Sequence, residues 1–190
     1  MSGPNSAEHV DFEREFADVL DDVPDEQFDR SRFVPGVGPL DADVVLVGEA
    51  PGGREVEEGE PFVGRAGSRL DRALESIGVD RGSLYITNVV KVRPPENRTP
   101  HVAEVEAWWP VLEAELDRVD PRVVVPLGTT ATRQLLDVEE GITDVHGERF
   151  ERDGRLVVPV YHPAATLYDR SKDDAFEADL RSVFESARGG

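Results

Sequence analysis

The sequence predicts an α/β fold: a three-layer sandwich with a central, mostly parallel four-stranded sheet and helices on both faces. Three observations lead there. Short apolar runs recur at 44–47, 84–87, 123–125 and 156–160, and continuous apolar runs are what strands buried on both faces carry. Segments with helical spacing lie between them. Strands that alternate with helices pair in parallel through right-handed crossovers.

Each element has its own reason. Asn5 and Glu8 have the spacing of a capping box, and Phe12, Phe16, Val19 and Leu20 continue at helical spacing, so a helix is expected over 6–20. Residues 21–41 are rich in Asp, Pro and Gly and read as a connecting loop. Val44-Val45-Leu46-Val47 is the first strand. Leu70, Leu74 and Ile77 make a helical stripe that ends at Gly78, a suitable residue just past a helix. Leu84-Tyr85-Ile86-Thr87 is the second strand. Thr99 followed by Pro100 reads as a helix start. Val102, Val105, Trp109, Leu112 and Leu116 then mark one helix face, with a kink expected at Pro110. Val123-Val124-Val125 is the third strand, and Thr129 or Thr130 is placed to cap a short helix through Leu136. Asp153-Gly154 is a hairpin turn joining 148–151 to the last apolar run, 156–160. Phe176, Leu180, Val183 and Phe184 mark the closing helix. Residues 1–35 thus form an N-terminal helix and loop packed on or peripheral to the core, and residues 36–190 form the main domain.

Composition narrows the function classes. The 190 residues contain no cysteine, which excludes disulfides, thiolate metal sites and cysteine nucleophiles. No apolar stretch approaches the ~18–20 residues of a membrane span, and Met1-Ser2-Gly3-Pro4-Asn5 is not a secretory signal. A soluble, cytoplasmic, monomeric protein without membrane contact is expected. Lys+Arg 21 against Asp+Glu 40 gives a net charge of −19, and Lys91 and Lys172 are the only lysines. The acids run along the whole chain rather than in one block. Such a surface resembles proteins of salt-accumulating halophiles, in which molar salt screens the self-repulsion.

In open α/β sheets ligands bind outside the carboxyl ends of the strands. Gly48-Glu49-Ala50-Pro51-Gly52-Gly53 follows the first strand, Asn88 and then Lys91 the second, Gly128-Thr129-Thr130 the third, and His162-Pro163 the last. A carboxylate, an amide, small hydroxyls and an imidazole are therefore expected on one rim. Taken singly, each is an ordinary turn, cap or structural residue; their convergence favours a site.

The ordered motifs Gly48-Glu49-Ala50-Pro51-Gly52, Pro61-Phe62-Val63-Gly64-Arg65-Ala66-Gly67, Tyr85-Ile86-Thr87-Asn88-Val89-Val90-Lys91, Arg93-Pro94-Pro95, Asn97-Arg98-Thr99-Pro100 and His162-Pro163-Ala164 resemble the uracil-DNA glycosylase superfamily, specifically its family 4 type. The resemblance covers about residues 36–187. It implies a monofunctional enzyme that flips uracil out of DNA and hydrolyses its N-glycosidic bond, leaving an abasic site. By resemblance, Glu49 meets the sugar and the attacking water, and Glu55 lines the pocket near the pyrimidine C5 edge. Phe62 stacks on the flipped base, Asn88 reads the uracil edge and His162 faces uracil O2. These types suit the chemistry. Bond breaking leaves positive charge on the sugar and negative charge on the base, so fixed donors and a carboxylate are needed at those places. Backbone N–H groups from Ala50 through Gly53 can approach the substrate because small residues leave room. A flipped base needs a stacking partner. Arg65, Lys91, Arg93 and Arg98 are candidates for phosphate contacts. Leu167 is the candidate wedge in the minor groove, and Tyr168 stands where some relatives carry a basic residue.

There is one departure. Family 4 members usually hold a [4Fe–4S] cluster on four cysteines, and the resemblance places those positions at Val92, Trp108 and, near the N-terminus, Asp21 and Pro24. No cofactor and no metal are therefore expected, with apolar packing at Val92 and Trp108 taking the cluster's volume. Three alternatives stay open at this point: a broader glycosylase acting on hypoxanthine or xanthine, a non-catalytic DNA-binding relative, and a small-molecule anion binder using the Gly-Pro loop.

Overall fold

A computed structural model describes residues 10–189. The sheet has five strands in the order β2-β1-β3-β5-β4: β1 (Val44–Gly48), β2 (Tyr85–Asn88), β3 (Val123–Pro126), β4 (Phe150–Arg152) and β5 (Arg155–Val157). β1, β2, β3 and β5 pair in parallel. The fifth strand, β4, lies antiparallel at the edge. It exists because Asp153 and Gly154, both with positive φ (52° and 76°), fold the chain back on itself.

The pleat sorts the core into two layers. On one face Val45, Val47, Tyr85 and Val124 pack toward α1 (Phe12–Glu15), α2 (Ala17–Asp21), α5 (Val102–Val119) and α6 (Thr129–Leu136). On the other, Val44, Leu46, Ile86 and Val125 meet α4 (Arg65–Ser76) and α9 (Arg170–Arg188). Successive strand residues face opposite sides, so both layers need apolar residues and the runs are continuous. The short helices α3 (Gly53–Glu58), α7 (Ile142–Val145) and α8 (Pro163–Thr166) sit at or near the strand ends.

Several boundaries differ from expectation. The proposed Asn5–Glu8 cap lies outside the described residues. The N-terminal helix begins after Asp11, whose side chain accepts from Arg14 N, and is interrupted at Phe16. Phe12, Phe16 and Leu20 are buried in the same cluster as α5. α5 starts after His101, not Thr99, because Glu104 reaches back to accept from the His101 N–H at 2.6 Å. It continues through Pro110. The buried stripe of α5 is also rotated from the expected one: Val102 is 73% exposed, whereas Trp108 and Glu115 are fully buried. Trp108 is drawn inward by Phe28 and Phe33, Glu115 by polar partners described below. α6 is entered through Gly128 (φ 89°) rather than a threonine cap. Thr129 instead accepts from Ile142 N at 3.1 Å, and Thr132 donates to Gly128 O at 2.7 Å. No helix among the described residues is long and apolar enough to cross a membrane.

Candidate active site

The parallel register aligns the carboxyl ends of the strands. Gly48 stands opposite Asn88 and Val47 opposite Pro126. Leu127 bridges Val160, and the Gly128 N–H donates to Val160 O at 2.9 Å, which brings His162 to the same rim. Past the ends of β1 and β2, Val89 N donates to Gly48 O and Val90 N to Glu49 O (2.9 and 3.0 Å), so the two exit loops are joined.

Gly48 is the floor of the site. A Cβ there would lie 2.4 Å from Asn88 Oδ1 and 2.7 Å from the Phe62 ring. The amide and the ring can therefore converge only because this position has no side chain. Both are nearly fully buried. The Phe62 ring centroid lies 5.5 Å from that of His162. Phe62 has φ 54°, in the left-handed region. For a bulky residue this is a strained conformation costing on the order of 1–3 kcal/mol, of the kind that collects at functional sites. Its surroundings hold it there. Gly67 of α4 packs so closely that a Cβ would be 1.8 Å from Phe62 O, and Arg81 donates to Phe62 O (2.8 Å) and Pro61 O (2.7 Å).

His162 caps α8. Its Nδ1 accepts from Ala164 N at 3.1 Å. An accepting Nδ1 leaves the proton of the neutral ring on Nε2. Burial pushes the His162 pKa down to about 4, because a charged ring would lose its hydration. The imidazole is thus a neutral Nε2–H donor at pH 7. Gly128 packs against it, with a Cβ there 3.1 Å from the His162 Cβ.

Glu49, Ala50, Pro51, Gly52, Gly128 and His162 are among the residues lining a cavity of about 530 Å³ at this rim. A larger groove of about 990 Å³ is lined by Val37, Leu84 and Ile86 at the β2 edge of the sheet, away from the rim. Glu55, in α3, folds back over Gly52: a Cβ on Gly52 would be 2.8 Å from Glu55 Oε2, and one on Gly64 3.9 Å from Oε1. Both carboxylates named by the sequence thus belong to the Gly-Pro loop and the helix that follows it.

The basic candidates divide. Arg65 is exposed, its guanidinium 5.8 Å from the ring of Tyr168, which is itself 82% exposed. Leu167, at the C-terminal end of α8, is half-buried. Arg93 donates to Asn97 Oδ1 at 2.7 Å and lies over Gly53, where a Cβ would meet the guanidinium at 3.3 Å. Arg98 lines the cavity but is held by both oxygens of Glu104 at 2.7 and 3.0 Å. This hydrogen-bonded pair raises the Arg98 pKa and lowers that of Glu104.

Lys91 is a correction. It is fully buried and cannot reach a phosphate. Its Nζ lies 2.5 Å from Glu115 Oε2 and donates to the backbone carbonyl of Asn88 at 2.5 Å. Glu115 also accepts from Tyr85 (2.9 Å) and Thr87 (2.8 Å). Burial lowers the Lys91 pKa, and the facing carboxylate opposes that shift. The lysine is buried because Glu115 is buried opposite it. A sequence reading of helix α5 places Glu115 on a solvent face and so misses the pair. Arg81 is equally silent in the sequence, since a lone arginine before a strand has no spacing signal.

Asp21, Pro24, Val92 and Trp108, the positions that the resemblance gives to a cluster's cysteines, carry no thiol and do not fit an iron–sulfur group. Trp108 donates from its indole to Gln27 O at 3.2 Å and packs on Phe28 (5.1 Å, edge-on) and Phe33 (5.9 Å, stacked). Val92 packs against the same cluster and bridges Phe33. Among the described residues no group of three or more His, Cys, Asp or Glu side chains is placed to hold a metal.

Comparison with known proteins agrees with this geometry. Residues 35–185 match the model of the Uracil DNA glycosylase superfamily. The chain is 43% identical over 164 residues to a type-4 uracil-DNA glycosylase of Archaeoglobus fulgidus, covering 82% of each chain. It is 41% identical over 165 residues to the type-4 protein of Pyrobaculum aerophilum (82% of this chain, 83% of that one). The type-4 protein of Thermotoga maritima is 42% identical over 146 residues, 76% of each. With a match that runs from before the first strand into the last helix, and a site assembled at the strand ends, this chain belongs to the uracil-DNA glycosylase superfamily.

Proposed function

We propose that the protein removes uracil from DNA by flipping the nucleotide into this site and hydrolysing its N-glycosidic bond, leaving an abasic site. The observation that carries the reading is the meeting of Phe62 and Asn88 over Gly48, with a neutral His162 beside the Phe62 ring. Phe62 supplies a face for the flipped ring. Asn88 offers one donor and one acceptor; uracil presents O4 and N3–H to match, and cytosine inverts the pair. The Nε2–H of His162 meets the negative charge that develops on the departing base at O2. Glu49 and Glu55 supply negative charge near the sugar as it becomes cationic, and backbone N–H groups of Ala50 and Gly52 approach the substrate. Arg65 and Arg93 contact phosphates, Arg98 does so while paired to Glu104, and Leu167 wedges beside the vacated position.

The catalysis needs no iron. Asp21, Pro24, Val92 and Trp108 offer no set of thiolates, and packing between Trp108, Phe28 and Phe33 supports an apolar replacement for a cluster. The protein is proposed to be a soluble, cytoplasmic monomer, and its acidic, lysine-poor surface to be an adaptation to salt.

The test is release of free uracil from a defined oligonucleotide in molar KCl, with thymine, hypoxanthine and normal-base substrates alongside. Uracil release alone is expected, and Asn88→Asp should weaken it, because the added charge opposes the developing anion and the amide donor is lost. Unchanged uracil release by Asn88→Asp would remove Asn88 as the base reader. Equal release of hypoxanthine would replace the uracil reading with the broader one.

A further inference from the structure

The strained backbone of Phe62 is held on its carbonyl side by the close packing of Gly67 and by one side-chain clamp. Arg81 Nη1 donates to Phe62 O at 2.8 Å and Nη2 to Pro61 O at 2.7 Å, so one planar guanidinium spans two consecutive carbonyls. The same Nη1 is tied to Asp71 of α4 at 2.7 Å. Arg81 is itself fixed: it opens a 3₁₀ turn capped by Asp80, which accepts from Gly82 N at 2.9 Å, immediately before β2. A rigid chain of contacts therefore runs from α4 and the start of β2 to the peptide that aims the Phe62 ring. A left-handed aromatic residue persists only where its surroundings over-determine it. The planar fork of arginine suits such a two-carbonyl clamp, and lysine does not share that geometry.

We propose that Arg81 is a positioning residue for the base pocket: by holding the Pro61–Phe62 carbonyls it keeps the Phe62 ring in place as the stacking platform for the flipped base. The proposal rests on the stacking role of Phe62 given above. Arg81 acts through Phe62 and touches no substrate. Its loss should therefore matter only when a base is there to stack upon.

The experiment measures affinity for two duplexes that differ in the base alone. One carries 2′-fluoro-2′-deoxyuridine, whose glycosidic bond resists cleavage because the fluorine disfavours positive charge on the sugar. The other carries a tetrahydrofuran abasic site. Arg81→Ala is expected to weaken the first by roughly 10-fold, within the range for losing one base–aromatic stack, and the second by less than about 2-fold. Phe62→Ala should show the same base-dependent loss, and the double variant should lose little more than either alone, because the two act through one contact. Equal weakening on both duplexes would mean a general structural role and overturns the proposal, as would no weakening on either. If Phe62→Ala shows no base-dependent loss, the stacking role falls and this proposal falls with it. If Phe62→Ala shows the loss and Arg81→Ala does not, only the Arg81 assignment fails. Should the alanine variant not fold, Arg81→Lys carries the test. It keeps a cation opposite Asp71 but cannot span both carbonyls, so a several-fold loss confined to the fluorinated duplex is expected, and its absence overturns the proposal.

Discussion

His162 shows how one backbone hydrogen bond sets a side chain's chemistry. The Ala164 N–H points at Nδ1, so the second ring proton of an imidazolium would face another N–H. Burial adds a desolvation penalty, and the pKa falls from 6.5 to about 4. The sign of the linkage follows. Between those two values the unfolded chain takes up a proton that the folded chain refuses, so this histidine's contribution to stability is complete above about pH 6.5 and is lost as pH falls toward 4. Uracil release under single-turnover conditions should show no inflection from His162 between pH 8 and about 5.5 and should decline only as pH nears 4. An inflection near 6.5 that vanishes in His162→Ala would show a ring that titrates freely, contrary to a half-buried imidazole whose Nδ1 accepts from Ala164 N. His162→Ala should slow the chemical step by about 10²–10³-fold, the scale for removing one donor to a developing oxyanion. An effect confined to substrate binding would sink that role.

At the scale of the element, β2 is held from behind by charge. Tyr85 and Thr87 share one face of the strand and both donate to Glu115, while Lys91 links Glu115 to the carbonyl of Asn88. Removing one member of a buried pair strands the other, a loss of about 3–5 kcal/mol, whereas neutralising both is far milder. Lys91→Met should therefore destabilise the protein by that amount in a denaturant titration, and Lys91→Met/Glu115→Gln should recover most of it, since the Gln side-chain oxygen still accepts from the strand. A single variant as stable as wild type would show that the pair does not hold the strand. This element also marks where the sequence is legible and where it is not. The apolar runs of β1, β2 and β3 announce themselves because both faces of the sheet are covered. The motifs that follow β1 and β2, the Pro61-Phe62-Val63-Gly64 motif and the His162-Pro163-Ala164 motif point to Glu49, Asn88, Phe62 and His162 without coordinates. Lys91 reads as a phosphate contact because sequence spacing says nothing about burial. Glu115 and Arg81 reveal their partners only in three dimensions, 24 and 19 residues away respectively. The buried face of α5 is legible in part: Val105, Leu112 and Leu116 are buried where the stripe puts them, while Val102 is not. Trp108 and Glu115 are buried by partners on Phe28, Phe33 and Lys91, so the apolar stripe alone sets the helix's rotation incorrectly. The Asp153-Gly154 turn announces the hairpin arm that becomes β4, but its half-buried to exposed residues carry no apolar run, so its place as a fifth strand of the sheet is not legible.

The whole molecule carries a charge of −19, and here two electrostatic effects oppose each other. Binding DNA releases counterions, so affinity falls with salt at a log–log slope of about −0.9 for each phosphate neutralised. Arg98 is already paired with Glu104 and Lys91 is buried, which leaves Arg65 and Arg93 as the better-placed contacts. Two contacts give a slope of only about −1.8, and counting the paired Arg98 as a third brings it to about −2.7. Against this stands repulsion of the polyanion by the acidic surface, together with the surface's repulsion of itself. Both are long-range, and both fade as the Debye length shrinks from about 10 Å at 0.1 M to about 3 Å at 1 M. The contacts proposed for Phe62, Asn88 and Leu167 are short-range and would survive screening, and the packing of Trp108 on Phe28 and Phe33 is indifferent to it. With few counterions to release and much repulsion to relieve, the second effect should win. Melting temperature and single-turnover uracil release should therefore both rise as KCl is raised from roughly 0.1 M into the molar range, spanning those screening lengths. The measurement is a KCl titration of the two quantities on the same preparation. A rise in melting temperature without a rise in activity would mean that screening helps the fold but that phosphate contacts are more numerous than the arginines counted here. A flat melting temperature with a steady loss of activity would mean that the acidic surface is not a salt adaptation, and a basic protein partner would then become its better explanation.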